Sequence, residues 1–227
     1  NEAGSGGLAA SQTVSSVLEA PIDYYVKIDF EGFVKIVDEL GGVNICVDRA
    51  FDDYTYPAEG QEENPVYDKR FEHLHFETGC QTMNGTLALK YARSRHAYGP
   101  EGTDFARAAR QQKAIAAIKD KALSRETLFS PKKILNIISE LSDHFHTNLS
   151  LVDMTKLWSL AKDIKQEDIA TRVLDNSPAG LLMDSTGADG AYMLVPRAGN
   201  FSEIQYLFNN IFQNAPADAK AKVGEEQ

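Results

Sequence analysis

Apolar residues recur along the chain with two periods, and the switches between them mark out its elements. LAASQTVSSVLEA (8–20) predicts a short helix that stops before Pro21, because the residue preceding a proline is pushed out of helical geometry. IDYYVKID (22–29) predicts a strand. In FEGFVKIVDELGG, Phe30, Phe33, Val34 and Val37 return at helical spacing, Asp29 can cap the helix, and Gly41 and Gly42 can stop it. VNICV (43–47) predicts a second strand, and the order strand, helix, strand predicts a layered α/β domain with a crossover helix.

From Asp48 to Glu77 no clear period survives, and this acidic, aromatic, proline-containing stretch predicts an excursion over the surface. Asn84-Gly85 predicts a turn leading into a helix through about Tyr91. Asp104 to about Ser124 predicts a long helix with Phe105, Ala108, Ala109, Ile115 and Ile118 facing inward. Further helices are expected over 131–143, with Pro131 in the first turn, and over 151–164. In the latter Ser150 can cap, and Leu151, Met154, Leu157, Trp158 and Ala161 form the apolar face. Strands near 168–174, 180–184 and 191–195 and a helix from about Ser202 to Phe212, built on Ile204, Leu207, Phe208 and Ile211, complete the pattern. The whole predicts one α/β domain over residues 1–213, a layered α/β/α arrangement with a central mixed sheet flanked by helices, and a frayed tail over 214–227. At 227 residues and 43% hydrophobic, the chain is long enough to bury such a core.

Charge sharpens the picture. Asp and Glu number 33 against 23 Lys and Arg, a balance of -10 that argues against a general nucleic-acid binder. Yet eight bases face only three acids between Asn84 and Ser124. Such a concentration in an acidic chain predicts a local site for an anion, since guanidinium groups offer paired donors matched to phosphate oxygens; the plainer alternative is a solvated face. No apolar run approaches the roughly 20 residues of a membrane helix. The first residues lack the basic start and apolar centre of a signal peptide and carry no initiator Met, so the chain is expected to begin inside a longer protein.

If the chain leaves its helix near Tyr91 and runs extended, Arg93 and Arg95 point to the same side, with the small Ala92 and Ser94 on the other. Asp104, Arg107 and Gln111, spaced i, i+3 and i+7, share one helical face, with Arg110 on its flank. Asp104 can also serve the helix start as a cap and offset its dipole. Cys46 and Cys80 are too few for a zinc site and lie in no CxxC pair, which leaves a disulfide across a loop-rich stretch or two free buried thiols.

IDYYVKIDFEGFVKIVDELGGVNICVD, NGTLALKYARSR and TDFARAARQQ, in that order and with those gaps, closely resemble the LytR-CpsA-Psr family, extracytoplasmic enzymes that attach glycopolymers to bacterial peptidoglycan. The similarity is strongest over residues 21–121 and continues weakly to about 213. It implies a phosphotransferase that moves a cell-wall glycopolymer from a polyprenyl pyrophosphate carrier to a peptidoglycan hydroxyl. Arg93 and Arg95 from YARSR, and Asp104, Arg107 and Gln111 from DFARAARQ, are implied as pyrophosphate-site residues, Arg110 as a supporting substrate residue. The cysteine placement resembles the actinobacterial-type branch, in which Cys46 and Cys80 would pair as a disulfide. Magnesium is implied as cofactor, with its aspartate ligands, a further arginine and lysine, and a membrane anchor expected upstream of residue 1. A polyprenyl tunnel would lie between sheet and helices, with alternate residues of IDYYVKIDF, Phe33, Val37, Ile115 and Ile118 as candidate lining, although ordinary core packing is the commoner role for each, since apolar helix and strand faces usually serve packing.

Other motifs carry less. His73-x-His75 and His144-x-His146 have no evident third ligand nearby, and the three Asn-x-Ser/Thr sequons are common chance matches. No P-loop, GxSxG elbow or dinucleotide fingerprint is present. Two readings of other classes stand beside the transferase: a binding module that holds the lipid carrier without turnover, and a non-catalytic cell-envelope interaction protein.

Overall fold

The computed structural model of the chain describes residues 5–124, 127, 144–161, 164 and 169–213. The predicted helix over 131–143 and the tail over 214–227 lie outside them. The described helices are α1 (Ser5–Leu18), α2 (Phe30–Glu39), α3 (Gly85–Arg93), α4 (Asp104–Ala122), α5 (Leu151–Ala161) and α6 (Ser202–Asn209). The strands are β1 (Val26–Ile28), β2 (Val43–Val47), β3 (Phe51–Pro57), β4 (Phe71–Phe76), β5 (Gly79–Met83), β6 (Phe145–Thr147), β7 (Leu182–Thr186) and β8 (Tyr192–Pro196). They pair two by two as β1-β6, β2-β5, β3-β4 and β7-β8, so the described residues form four small sheets instead of the expected central mixed sheet. The crossover is corrected with it: β2 pairs antiparallel with β5 and has no ladder with β1. By contacts the chain splits into two compact units, one of residues 27–146 and one of 1–26 with 147–227.

In the unit 27–146 the predicted helix limits of α2 hold for the predicted reasons. The Asp29 carboxylate accepts from the Gly32 N–H at 2.8 Å, and Gly41 and Gly42 end the helix with φ of 81° and 90°, a region that favours glycine. Asn84-Gly85 works differently from a turn. Asn84 is the cap of α3, accepting from the Leu87 N–H, and a side chain at Gly85 would collide with the Val34 backbone, so glycine lets α3 approach α2. β2 alternates as predicted, with Val43, Ile45 and Val47 buried.

The largest departure is the stretch 48–77, which contains an antiparallel hairpin. Phe51, Asp53 and Tyr56 of β3 and Leu74 and Phe76 of β4 point into the core, where Phe51 stacks on Phe76 at 5.0 Å and Phe76 meets Tyr91 edge-on at 5.3 Å. A register shift between Asp53 and Tyr56 breaks the two-residue period, and an acid occupies an inward position, so the sequence conceals the strand. Burial pushes the Tyr91 phenol up to about 12. α4 is also turned relative to the expected stripe: Arg110, Ala114 and Ala117 are buried, Ile118 packs partly on the core, and Ile115 is 66% exposed. Small alanines let α4 lie close on β2 and α3. Ile115, Tyr24, Val26 and Phe30 are exposed, whereas Val37 is core.

In the other unit, β7 and β8 form a hairpin whose base is held by Arg197, which donates to the carbonyls of Ser177, Gly180 and Leu182. α1 meets α6, with Gln205 donating to the Val17 carbonyl. Residues 169–174, expected as a strand, have no regular structure, and α6 ends at Asn209, short of the predicted Phe212.

Cys46 and Cys80 face each other in the β2-β5 register, exposed and disulfide-bonded, which settles the open alternative against buried free thiols. The bond closes a segment with a sequence separation of 34. Cys46→Ser with Cys80→Ser should lower stability by about 3 to 4 kcal/mol on loop-entropy grounds, read as a lower urea midpoint than that of the oxidised protein.

Candidate functional site

The basic segment folds around one loop. α3 ends at Arg93, residues 94–98 run extended, a short 3-10 turn spans Gly99–Gly102, and α4 begins at Asp104 with Thr103 as its cap, accepting from the Ala106 N–H. The cap expected of Asp104 therefore belongs to Thr103, and the Asp104 carboxylate is left for other work.

Two buried groups of opposite charge grip this loop. The Asp53 carboxylate, 1% exposed, accepts from the Ser94 hydroxyl at 2.7 Å and from the N–H groups of Arg95, His96 and Thr55 at 3.3, 3.2 and 3.0 Å. Burial by itself would raise its pKa, but these donors outweigh it and hold the carboxyl below the usual range. Arg110, 3% exposed, donates to the carbonyls of Tyr91, Ser94 and Glu101 and pairs with the Glu101 carboxylate at 3.0 Å. Its guanidinium also lies 4.8 Å from the centre of the Phe51 ring. Burial pulls its pKa down, against the opposing pull of Glu101, but an arginine starts so high that it stays charged. The expectation that Arg110 contacts substrate is thus revised: its donors are spent on backbone, and it positions the loop.

The clamp presents Arg95. With Ser94 buried as its anchor, Arg93 and Arg95 are both exposed, as the extended reading requires, although Arg93 is still the last helical residue. Arg95 reaches Asp104 with two bonds, Nε to Oδ1 at 2.9 Å and Nη2 to Oδ2 at 3.1 Å, and Arg107 meets the same Oδ1 at 3.2 Å. Arg95, Asp104 and Arg107 are therefore brought together, half exposed. Arg93 is directed elsewhere, with its guanidinium 4.0 Å from the centre of the Phe30 ring and 6.0 Å from that of Tyr56. Gln111 is exposed four residues beyond Arg107 on α4 and makes none of these contacts.

The arrangement suits an anion. Two guanidiniums on one carboxylate oxygen mark a place where a second anion can replace the first, with the same donors turned to phosphate oxygens. Among the described residues no three or more His, Cys, Asp or Glu side chains are gathered to hold a metal ion, and Asp104 is engaged by the two arginines, so the residues here do not form a magnesium site. His144 donates to Asp29 at the cap of α2 and lies 3.0 Å from the Lys35 ammonium. A larger concavity of about 850 Å³, lined by Arg172, Leu174, Leu181, Tyr206 and Leu207 among others, holds none of the predicted site residues. Asp53 and the Arg110 clamp escaped the sequence reading because a buried acid interrupts the hydrophobic pattern; the outward His73 and His75 around inward Leu74, ahead of Phe76, were the available signal for the hairpin.

Asp53→Ala should destabilise by about 2 to 4 kcal/mol, because four donors lose their acceptor, and should lower Tm accordingly. Because the folded pKa of Asp53 is depressed, its contribution is complete above the ordinary carboxylate range and is lost as pH falls through the folded value. The acid limb of the stability curve should therefore be shallower in Asp53→Asn than in wild type, measured by urea unfolding between neutral and acid pH.

Known proteins resemble this chain throughout the described region. The polyisoprenyl-teichoic acid--peptidoglycan teichoic acid transferase TagV of Bacillus subtilis (strain 168) is 27% identical over 194 residues, 86% of this chain and 44% of that protein. The cell wall biosynthesis protein LcpA of Corynebacterium glutamicum is 30% identical over 164 residues, 72% of this chain and 27% of that protein. The chain thus spans less than half the length of these curated relatives. The crystal structure of B. subtilis TagV matches with a TM-score of 0.62 at 27% identity, covering 95% of this chain and 75% of that one. Two of the ordered motifs supply Arg95, Asp104 and Arg107 of the arginine-carboxylate site, and the model of the LytR_cpsA_psr family matches residues 2–210: the chain belongs to that family.

Proposed function

We propose that this chain carries the pyrophosphate-binding part of a transferase that moves a cell-wall glycopolymer from a polyprenyl pyrophosphate carrier to peptidoglycan on the outer side of the bacterial membrane. The observation that carries this reading is the convergence of Arg95 and Arg107 on Asp104 in a loop that Asp53 and Arg110 hold rigid. The relatives named as peptidoglycan teichoic acid transferases support it.

The chemistry asks little covalent work of the protein. A hydroxyl of the acceptor attacks the phosphorus that bears the glycan, the bond to the second phosphate breaks, and polyprenyl phosphate leaves while the acceptor's proton is released. A phosphodiester joins glycan to acceptor. Catalysis then depends on positioning and on neutralising charge across the phosphate oxygens. Arg95 and Arg107 do both when the pyrophosphate takes their donors from Asp104, and Asp104 keeps the two cations from repelling each other until it arrives. Arg93, poised over the exposed Phe30, extends the positive face on the α2 side. Magnesium belongs to the reading through the family, with no described residue assigned to it and no step here passing through it.

The Cys46–Cys80 bridge and the likeness to the corynebacterial LcpA support placement in the actinobacterial-type branch. A disulfide also suits an oxidising, extracytoplasmic setting. Among the described residues no helix is long and apolar enough to cross a membrane.

Arg95→Ala and Arg107→Ala should each weaken binding of geranylgeranyl pyrophosphate by about 10- to 100-fold, the loss of a charge-assisted pair of about 1.5 to 3 kcal/mol, with little change in Tm. Lysine at either position should restore part of the affinity, since it cannot present the planar fork. Calorimetric titration showing wild-type affinity in both alanine variants would overturn the assignment.

A further inference from the structure

The outer face of the β3-β4 hairpin is not used by the site just described, and its composition is unusual. Its inner residues Phe51, Asp53, Leu74 and Phe76 are buried, while Asp52, Tyr54, His73 and His75 face outward. Tyr54 is 51% exposed and its ring lies parallel to that of His73, 4.1 Å away with an interplanar angle of 1°. Tyr98, 75% exposed, joins them at 5.7 Å from Tyr54, tilted by 54°. Asp52 Oδ1 accepts from both imidazoles, at 2.7 and 2.8 Å, and Glu77 accepts from the other nitrogen of His75 at 3.0 Å. These bonds fix the rings from below. Glu77 first and Asp52 second also keep His75 protonated to a higher pH than an ordinary imidazole.

We infer that this face is a sugar-binding platform for the glycan strand of the acceptor, with the rings of Tyr54, Tyr98 and His73 stacking on pyranose rings. The identity of the acceptor rests on the function proposed above.

Three observations point to this occupant. Exposed, pre-ordered aromatic rings, the Tyr98 face and the sides of Tyr54 and His73 turned away from each other, complement the weakly positive C–H face of a pyranose, and hydroxyls and acetamido groups find Asp52 and Glu77 at the rim. The platform is continuous with the anion site, because the Tyr98 N–H donates to the Asp52 carbonyl at 3.2 Å while the next residue, Asp53, grips Arg95 and His96. An acceptor hydroxyl must be delivered beside the arginines, and the 95–98 segment links the two places directly. Finally, nine acids stand against three bases between Asp48 and Glu77, which repels a polyanionic glycopolymer but leaves an uncharged sugar backbone unopposed.

The test uses the intact chain with labelled Tyr and His rings. N,N′,N″-triacetylchitotriose should shift the Tyr54, Tyr98 and His73 ring signals saturably, Tyr98→Ala and Tyr54→Ala should each raise its Kd at least about tenfold, and Tyr98→Phe should bind like wild type. Arg95→Ala should leave this sugar affinity unchanged, and the tyrosine variants should leave geranylgeranyl pyrophosphate affinity unchanged. No ring shifts, or equal sugar affinity in wild type and both alanine variants, would overturn the platform while leaving the pyrophosphate reading standing. Arginine variants that keep their pyrophosphate affinity while the tyrosine variants lose the sugar would overturn the transferase reading and leave a sugar site of other purpose.

Discussion

The backbone between Tyr91 and Glu101 is held from two sides, by a buried carboxylate that takes its N–H groups and a buried guanidinium that takes its carbonyls. Neither Asp53 nor Arg110 would be tolerated in the core alone, since a lone buried charge is costly. Together they satisfy the end of α3, the irregular residues 94–98 and the short 3-10 turn after them, where few regular backbone bonds absorb the polar groups. The site follows from that exchange. Ser94 is drawn in by its hydroxyl, its neighbours are turned out, and Arg95 meets Asp104 and Arg107 at the start of α4 with little freedom left to lose on binding an anion.

The same clamp explains the shape of the surrounding core. On β3, Asp53 is inward by simple alternation with Phe51, and the register shift that follows it turns Tyr56 inward as well. Arg110 lies inward on α4 with Ala114 and Ala117, while Ile118 packs only partly on the core and Ile115 is left exposed. The Phe51, Phe76 and Tyr91 rings pack beside this charged pair, with Arg110 against the face of Phe51, so the aromatic cluster and the polar clamp are one piece of packing.

Much of this was legible where a residue's local chemistry decides its place. Asp29 caps α2, Gly41 and Gly42 end it, β2 alternates, and the face bearing Asp104 and Arg107 is helical, all as composition and spacing predict. What escaped depends on partners distant in sequence. Asp53 is inward only because residues 94–96 offer it donors, and Arg110 only because three carbonyls await it; a reading that sorts residues into apolar-in and polar-out sends both to the surface. Arg93 and Arg95 are a related case: their exposure follows from local geometry, but their divergence to Phe30 and to Asp104 is set by α2 and α4.

The division into two units has a consequence for how the chain is made. Residues 27–146 form one unit, whereas the other needs both residues 1–26 and the stretch from 147 onward. A chain that emerges from its amino end can therefore close the inner unit, with its Cys46–Cys80 bond and its arginine loop, while residues 1–26 still wait for their partners. A synthesis or export machine that holds back the stretch after residue 146 would leave the anion site assembled while the other unit is unfinished.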